Sequence, residues 1–363
     1  MLWGLLFFGL LGLVCVGFVY LVNRINQTTP FKKLGKTFRF ADKIIPLALM
    51  GITFVAFYLL FNTFTAIVVM LHLIIFWIVA DLVAFVIKKI TKKPTNHNIV
   101  AVSTLAFTVL YLAVGWYFAH HVFKTTYEIE TDKVVPPLRI VQIADSHLSI
   151  TLNGEDFAEK IKEIDKLSPD ILLITGDFVD DDSSYEDMKR ACEALGEVKP
   201  TYGIYFSFGN HDKGYSDAKD YTADQLRQLL SENGVTILED ETVLVNDSFY
   251  IIGRQDTSVN DRKTIEELTS DLDKNKFMIV MDHQPNDYEK EKNFLVDLVL
   301  SGHTHGGHLF PAGFVGLLMG ANDKVYGHEK IENTDFIVTS GISGWAIPFK
   351  TGAISEYVVI DVK

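Results

Sequence analysis

Four long apolar stretches fill most of the first 120 residues, and they constrain what this chain can fold into more than anything else does. They cover residues 1–22, 44–61, 64–87 and 99–119. Each approaches the ~20 residues that cross a bilayer as a helix. Buried core helices would carry more charge than these four runs do, so spans are the better reading. The first run lacks both a basic leader and a small-residue cleavage site, which argues for an uncleaved span over a signal peptide. Only Asn62 and Thr63 separate the second and third runs, the pattern of a tight hairpin.

Charge divides the chain at the same place. Residues 1–120 hold ten Lys and Arg against Asp42 and Asp81, a net of +8 in a chain of net −13, which leaves −21 for residues 121–363. The basic residues fall in two loops. Arg24, Lys32, Lys33, Lys36, Arg39 and Lys43 lie between the first two spans; Lys88, Lys89, Lys92 and Lys93 lie between the last two. The positive-inside rule places both loops in the cytoplasm. The expectation is a multi-pass cell-membrane protein whose residues 121–363 face the extracytoplasmic side. Within the third span, Asp81 is expected to pair with Lys88 or reach water, and His72 to bond across helices. Cys15 and Cys192 sit in different halves, which makes a disulfide framework improbable.

After Pro136-Pro137 the pattern changes to short apolar runs alternating with helical periodicity, which argues for α/β units with buried strands. Strands are expected at 138–144, 171–175, 202–208, 277–281, 298–300, 336–339 and 354–360. A hairpin is expected at 243–252, and helices at 155–167, 185–195 and 223–230. The expected organisation is a transmembrane region (1–120), a linker (121–137) and a catalytic domain (138–363).

Five short motifs follow one another through that domain. They are Asp145-Ser146-His147, Gly176-Asp177-Phe178-Val179-Asp180, Gly209-Asn210-His211-Asp212, an isolated His283, and Gly302-His303-Thr304-His305-Gly306-Gly307. Singly, each would pass for an ordinary turn. Asp145, Asp177, Asn210, His283 and His303 each fall just after a strand-like run, however, and ligands of α/β sheets gather at those carboxyl ends. Imidazole, carboxylate and amide ligands without cysteine suit Mn²⁺, Fe and Zn²⁺. A carboxylate shared between two such ions would hold them at the ~3.5–4 Å that two-metal phosphate-ester hydrolysis uses.

This order of motifs resembles the calcineurin-like metallophosphoesterase superfamily, over roughly residues 138–345. The match is nearest to a bacterial branch ending in Gly-His-Thr-His-Gly-Gly, some of whose members are membrane-tethered. The resemblance implies an α/β fold in which two packed β-sheets form a sandwich flanked by helices. It implies one metal held by Asp145, His147, Asp177 and His305, and a second held by Asp177, Asn210, His283 and His303, with Mn²⁺ the first choice and Fe or Zn²⁺ the others. A metal-bridging hydroxide would attack phosphorus, and His211 would assist the leaving group. Asp180 would orient His211 and favour its protonated form; Asp212 and Asp282 would support the site from behind or serve as turn residues, not as catalytic groups. Gly306 and Gly307 would let the backbone approach the metals. His308 would touch substrate or sit as a spare surface imidazole. Asp181 stands where the Ser/Thr protein phosphatases carry arginine, which argues against that activity.

The expected substrate is a phosphodiester or phosphomonoester of the envelope, in particular a lipid-linked one. Two apolar stretches, 310–319 and 344–349, suggest either a greasy rim around the site or simply core strands and tight loops. A nuclease or nucleotide phosphoesterase is the alternative, but the acidic domain disfavours nucleic-acid partners. A non-catalytic membrane protein with a decayed domain is the third reading, opposed by a complete set of eight metal contacts. Oligomeric state is left open.

Overall fold

The computed structural model describes residues 2–216 and 219–363, with side chains from residue 8 onward. Met1, part of the first expected span, lies outside the described residues. Two compact units meet at Val114 and Gly115.

The helices α1 (Leu2–Ile25), α3 (Ala41–Leu60), α4 (Thr63–Thr91) and α5 (His97–His120), the last from Gly115 onward part of the second unit, are long and apolar enough to cross a membrane. The Asn62 side chain accepts from the Thr65 N–H and caps α4, which is why so short a hairpin can turn. The first basic loop contains a short helix, α2 (Thr29–Thr37), unforeseen in the sequence. Asp81 is satisfied by α1, not by Lys88: it pairs with Arg24 at 2.6 Å and accepts from the Tyr20 hydroxyl. His72 bonds within its own helix, to the Val68 carbonyl at 2.8 Å, and its ring lies edge-on to Phe76 and tilted against Tyr111.

Among the described residues the second unit holds twelve strands in chain order: β1 (Val122–Ile129), β2 (Leu138–Ile143), β3 (Ile171–Thr175), β4 (Ile204–Ser207), β5 (Val235–Ile237), β6 (Glu241–Val245), β7 (Phe249–Gly253), β8 (Phe277–Met281), β9 (Leu298–Ser301), β10 (Gly327–Ile331), β11 (Thr334–Val338) and β12 (Ser355–Val362). Six helices join them: α6 (Gly154–Asp165), α7 (Tyr185–Glu197), α8 (Ala223–Glu232), α9 (Ile265–Thr269), α10 (Tyr288–Glu291) and α11 (Ala312–Leu318). One sheet runs β1-β12-β2-β3-β4-β5 and the other β10-β11-β9-β8-β7-β6. Each has a parallel centre: β2-β3-β4-β5 in the first, β7-β8-β9-β11 in the second. This is the expected two-sheet sandwich flanked by helices.

The continuous apolar runs follow from burial on both faces. In β3, Leu172 and Ile174 pack toward α6, α7 and α8, while Ile171 and Leu173 face the other sheet. In β8, Ile279 and Met281 face the first sheet, and Met278 and Val280 pack toward α9 and α10. The expected linker 121–137 needs correcting: its first half is β1, paired in parallel with β12 from Val122↔Ser355 to Ile129↔Val362. Its burial alternates, with polar Lys124, Thr126 and Glu128 turned outward, so it lacks the apolar run that marks the inner strands.

Candidate metal centre

The carboxyl ends of β2, β3 and β4 in one sheet and of β8 and β9 in the other bring Asp145, His147, Asp177, Asp180, His211, His283, His303 and His305 together. Asp145 and His147 follow β2, Asp177 and Asp180 follow β3, Asn210 and His211 follow β4, His283 follows β8, and His303 and His305 follow β9. Three groups of ligand atoms each lie within 4.8 Å of one another: Asp145, His147 and His305; Asp177, His283 and His303; and His147, Asp180 and His211. The first two each share three residues with one of the two ligand sets that the resemblance implies, and Asn210 is in neither. Asp177 also reaches the other group, with Oδ2 3.0 Å from His283 Nε2 and 3.6 Å from His147 Nε2.

The backbone is bent to make this convergence. Asp145, His147, Asp177, His303, His305 and His308 all adopt positive φ, between 34° and 68°, a region that side chains other than glycine rarely visit. Such strain persists only where surrounding structure over-determines it, typically at working sites. Asp212 is one reason it persists. Its buried carboxylate accepts four backbone N–H groups, from Asp177, Phe178, Val179 and Gly209, and ties the β3 loop to the β4 loop. Gly209 must be glycine, since a Cβ there would lie 2.3 Å from Asp177 Oδ1. Gly306 and Gly307 sit where a Cβ has no room: at Gly306 it would meet Ala353 and Ser340, at Gly307 Gly313.

The donor set fits cations. His283 Nδ1 lies 2.8 Å from the Thr175 carbonyl, which can only accept, so Nδ1 carries the proton. With Nδ1 so occupied, Nε2 turns to the Asp177 carboxylate, and a bare lone pair there would leave two acceptors face to face, so the contact calls for positive charge between them, a proton or a cation. Burial alone would lower the pKa of His283, but Asp177 overrides it and raises the pKa well above the ordinary value. Burial likewise pushes Asp145 up to about 6, with Asp177 adding to the rise. His147 repeats the arrangement. Its Nδ1 lies 3.1 Å from Asp180, and its Nε2 faces His305 Nε2 at 3.2 Å.

Asp180 is expected to serve His211; its hydrogen bond goes to His147, while its carboxylate also lies within 4.8 Å of the His211 ring nitrogen and draws that ring toward its protonated form. Among the described residues its side chain bonds the His147 ring, and its Oδ1 accepts the Asp182 N–H. His211 is held instead through its backbone, whose N–H donates to Asp177 Oδ1 at 2.8 Å. Its half-buried ring sits against Tyr215 and Trp345. Burial outweighs the pull of Asp177 and Asp180 and keeps His211 below its ordinary pKa, so the neutral ring is favoured. His308 is not a surface imidazole: both ring nitrogens are enclosed, 5.4 Å from His305 between ring centres.

Three residues escaped sequence reasoning. Asp256 follows β7 and is buried, and both its carboxylate oxygens accept from Gln284 Nε2. Tyr215 takes the Asn210 amide at 2.9 Å. Arg254, also buried, binds Asp282, Asp287 and Glu291 at 2.7–3.1 Å and braces the loop that carries His283. An arginine leaving a strand end has no local signature, but Asp282, Asp287 and Glu291 spaced through one loop hinted at a buried cation. Of the two apolar stretches, Ile347 and Phe349 are core, whereas Phe314, Leu318 and Met319 are exposed and Trp345 partly so.

Comparison with known proteins agrees with this geometry. Residues 138–307 match the calcineurin-like phosphoesterase family. An uncharacterized metallophosphoesterase of Campylobacter jejuni is 28% identical over 366 residues, 95% of this chain and 94% of its own. One from Aquifex aeolicus is 31% identical over 65% of this chain and 90% of its own. A Danio rerio protein described as a transmembrane protein with metallophosphoesterase domain is 29% identical over 62% of this chain and 53% of its own. Two sheets that deliver carboxylates and imidazoles to one metal-binding cleft, behind four apolar helices, thus have relatives across distant organisms: the chain belongs to the calcineurin-like metallophosphoesterase family and is a phosphoric ester hydrolase.

Proposed function

We propose that this is a membrane-anchored phosphoesterase using two divalent ions, with residues 1–120 as anchor and 121–363 as hydrolase. Asp145, His147, Asp177 and His305 would hold one ion, and Asp177, Asn210, His283 and His303 the other, Mn²⁺ being the best match to this hard and borderline donor set. Such ions supply Lewis acidity and charge neutralisation to the phosphoryl group. The observation that carries the reading is the position of Asp177, whose one carboxylate approaches imidazoles of both groups.

The chain's own residues do the rest. His211, beside the cleft and fixed through Asp177, is positioned to give a hydrogen bond or proton to the departing oxygen. Asp180 and the Thr175 carbonyl hold the His147 and His283 rings in one tautomer, so that their free nitrogens face inward. Trp345 stands beside His211 as an apolar wall. Together with the membrane spans, that wall favours a lipid-linked phosphate ester, and the basic loops favour an extracytoplasmic site.

The test is hydrolysis by residues 121–363 with Mn²⁺, on paired chromogenic phosphomonoester and phosphodiester substrates. Asp177→Asn should abolish turnover of whichever ester is cleaved. Equal turnover by the variant would overturn the reading.

A further inference from the structure

Between His305 and Asp323 the chain carries no Asp, Glu, Lys or Arg. Its middle forms α11, a helix with no buried residue. Phe314 is 63% exposed, Leu318 88% and Met319 78%, with Phe310 ahead of them at 58%. Large apolar side chains grouped in this way on a surface mark a site of contact.

The same unit shows what that contact is. The last turns of α5 are part of it, and Trp116 and Tyr117 there are exposed aromatics of the kind that sit at the headgroup level of a bilayer. The Gly115 carbonyl accepts the Lys350 N–H at 2.9 Å, and Trp116 meets Phe349 edge to face. One residue further on, the Thr351 N–H donates to the His308 carbonyl at 2.9 Å, and its Oγ1 accepts from the Phe310 N–H at 3.1 Å. A single loop, 349–351, is therefore bonded on one side to the end of the last span and on the other to the segment that opens α11. The apolar helix starts beside the aromatic belt of a membrane helix.

We infer that Phe310 and α11 form a lip that inserts into the near leaflet of the bilayer the chain already spans. The lip follows directly on His305 and His308, so it would set the mouth of the cleft at the depth of lipid headgroups. The occupant is the acyl-chain border of the membrane, because the lip is joined through residues 349–351 to the aromatic end of a helix long and apolar enough to cross it. The inference rests on the apolar helices crossing a bilayer and not on which ester is cleaved.

The experiment uses the full chain in phosphatidylethanolamine–phosphatidylglycerol vesicles, with Cys15→Ser as background and Cys192 buried. An environment-sensitive fluorophore is attached at Leu318→Cys, Met319→Cys or, as control on the exposed side of α6, Glu159→Cys. Probes at 318 and 319 should emit to the blue and lose roughly half their intensity or more to nitroxide-labelled lipid, the control staying unaffected. Iodide quenching at 318 and 319 equal to that at 159 would overturn the inference. So would a probe shielded from iodide yet insensitive to labelled lipid, which would place a second copy or another protein on the lip. Neither outcome depends on hydrolysis, so failure here is separable from failure of the proposed function.

Discussion

Asp180 lies 3.1 Å from His147 Nδ1, and the ring it holds points its Nε2 at His305, 3.2 Å away. A carboxylate can only accept there, so it fixes the tautomer that leaves the inner nitrogen free. Partners of this sort contribute to metal affinity. Asp180→Asn should weaken Mn²⁺ binding ~10–100-fold, with turnover recovering as metal is raised. Titration of metal into residues 121–363, followed by activity at saturation, checks this. Unchanged affinity with permanently lost turnover would return Asp180 to His211 and the leaving group.

Much of the centre was legible because it is local. Asp145, Asp177, Asn210, His283 and His303 sit one to three residues past apolar runs that sheet burial makes conspicuous, and the chain order of the motifs survives folding. The pairing of Asp180 was not legible, since a residue three places from Asp177 can reach either histidine, and loop dihedrals decide which. Asp256 and Arg254 were hidden for another reason. They follow β7, whose run carries no motif, and their partners lie about 30 residues away in Asp282, Gln284, Asp287 and Glu291. β5 and β10 were missed because three residues, or five mostly exposed ones, leave little pattern.

Arg254 is the clearest case of a buried charge that must keep its partners. Its guanidinium is held by Asp282, Asp287 and Glu291, and Arg262 also pairs with Asp282. Removing one side of a buried pair leaves the other uncompensated, so Arg254→Ala should destabilise residues 121–363 by ~3–5 kcal/mol. Urea unfolding measures this. A loss under about 1 kcal/mol would mean that the carboxylates are neutralised by proton uptake or reached by water.

A pH dependence is expected away from the candidate metal centre. Burial pushes the Glu239 carboxyl up, but hydrogen bonds from Arg227 and Lys213 outweigh it and hold the pKa below the ordinary 4.5. A carboxylate with a depressed folded value stabilises the fold above its unfolded pKa, and loses that contribution as pH falls through the folded one. The stability gap between wild type and Glu239→Gln should thus be constant from about pH 7 to about pH 5 and shrink below pH 4.5. A gap that persists undiminished at about pH 3 would show that the arginine stem's packing, not the charge, stabilises this corner.

β1 bears on how the hydrolase can be separated from its anchor. It pairs with β12 along eight residues, and Val122 and Ile129 at its ends are buried. A chain cut at Asp132 would expose β12 as an open edge containing Val358, Ile360 and Val362, the sort of strand that recruits other chains. Starting at His121 keeps the pairing, whereas starting at Thr125 would strip three of the eight partners. Light scattering after gel filtration should therefore find residues 121–363 monodisperse and residues 132–363 aggregated. Equal behaviour of the two would mean that β1 only decorates the sheet, and that 121–137 acts as the linker its polar sequence suggests.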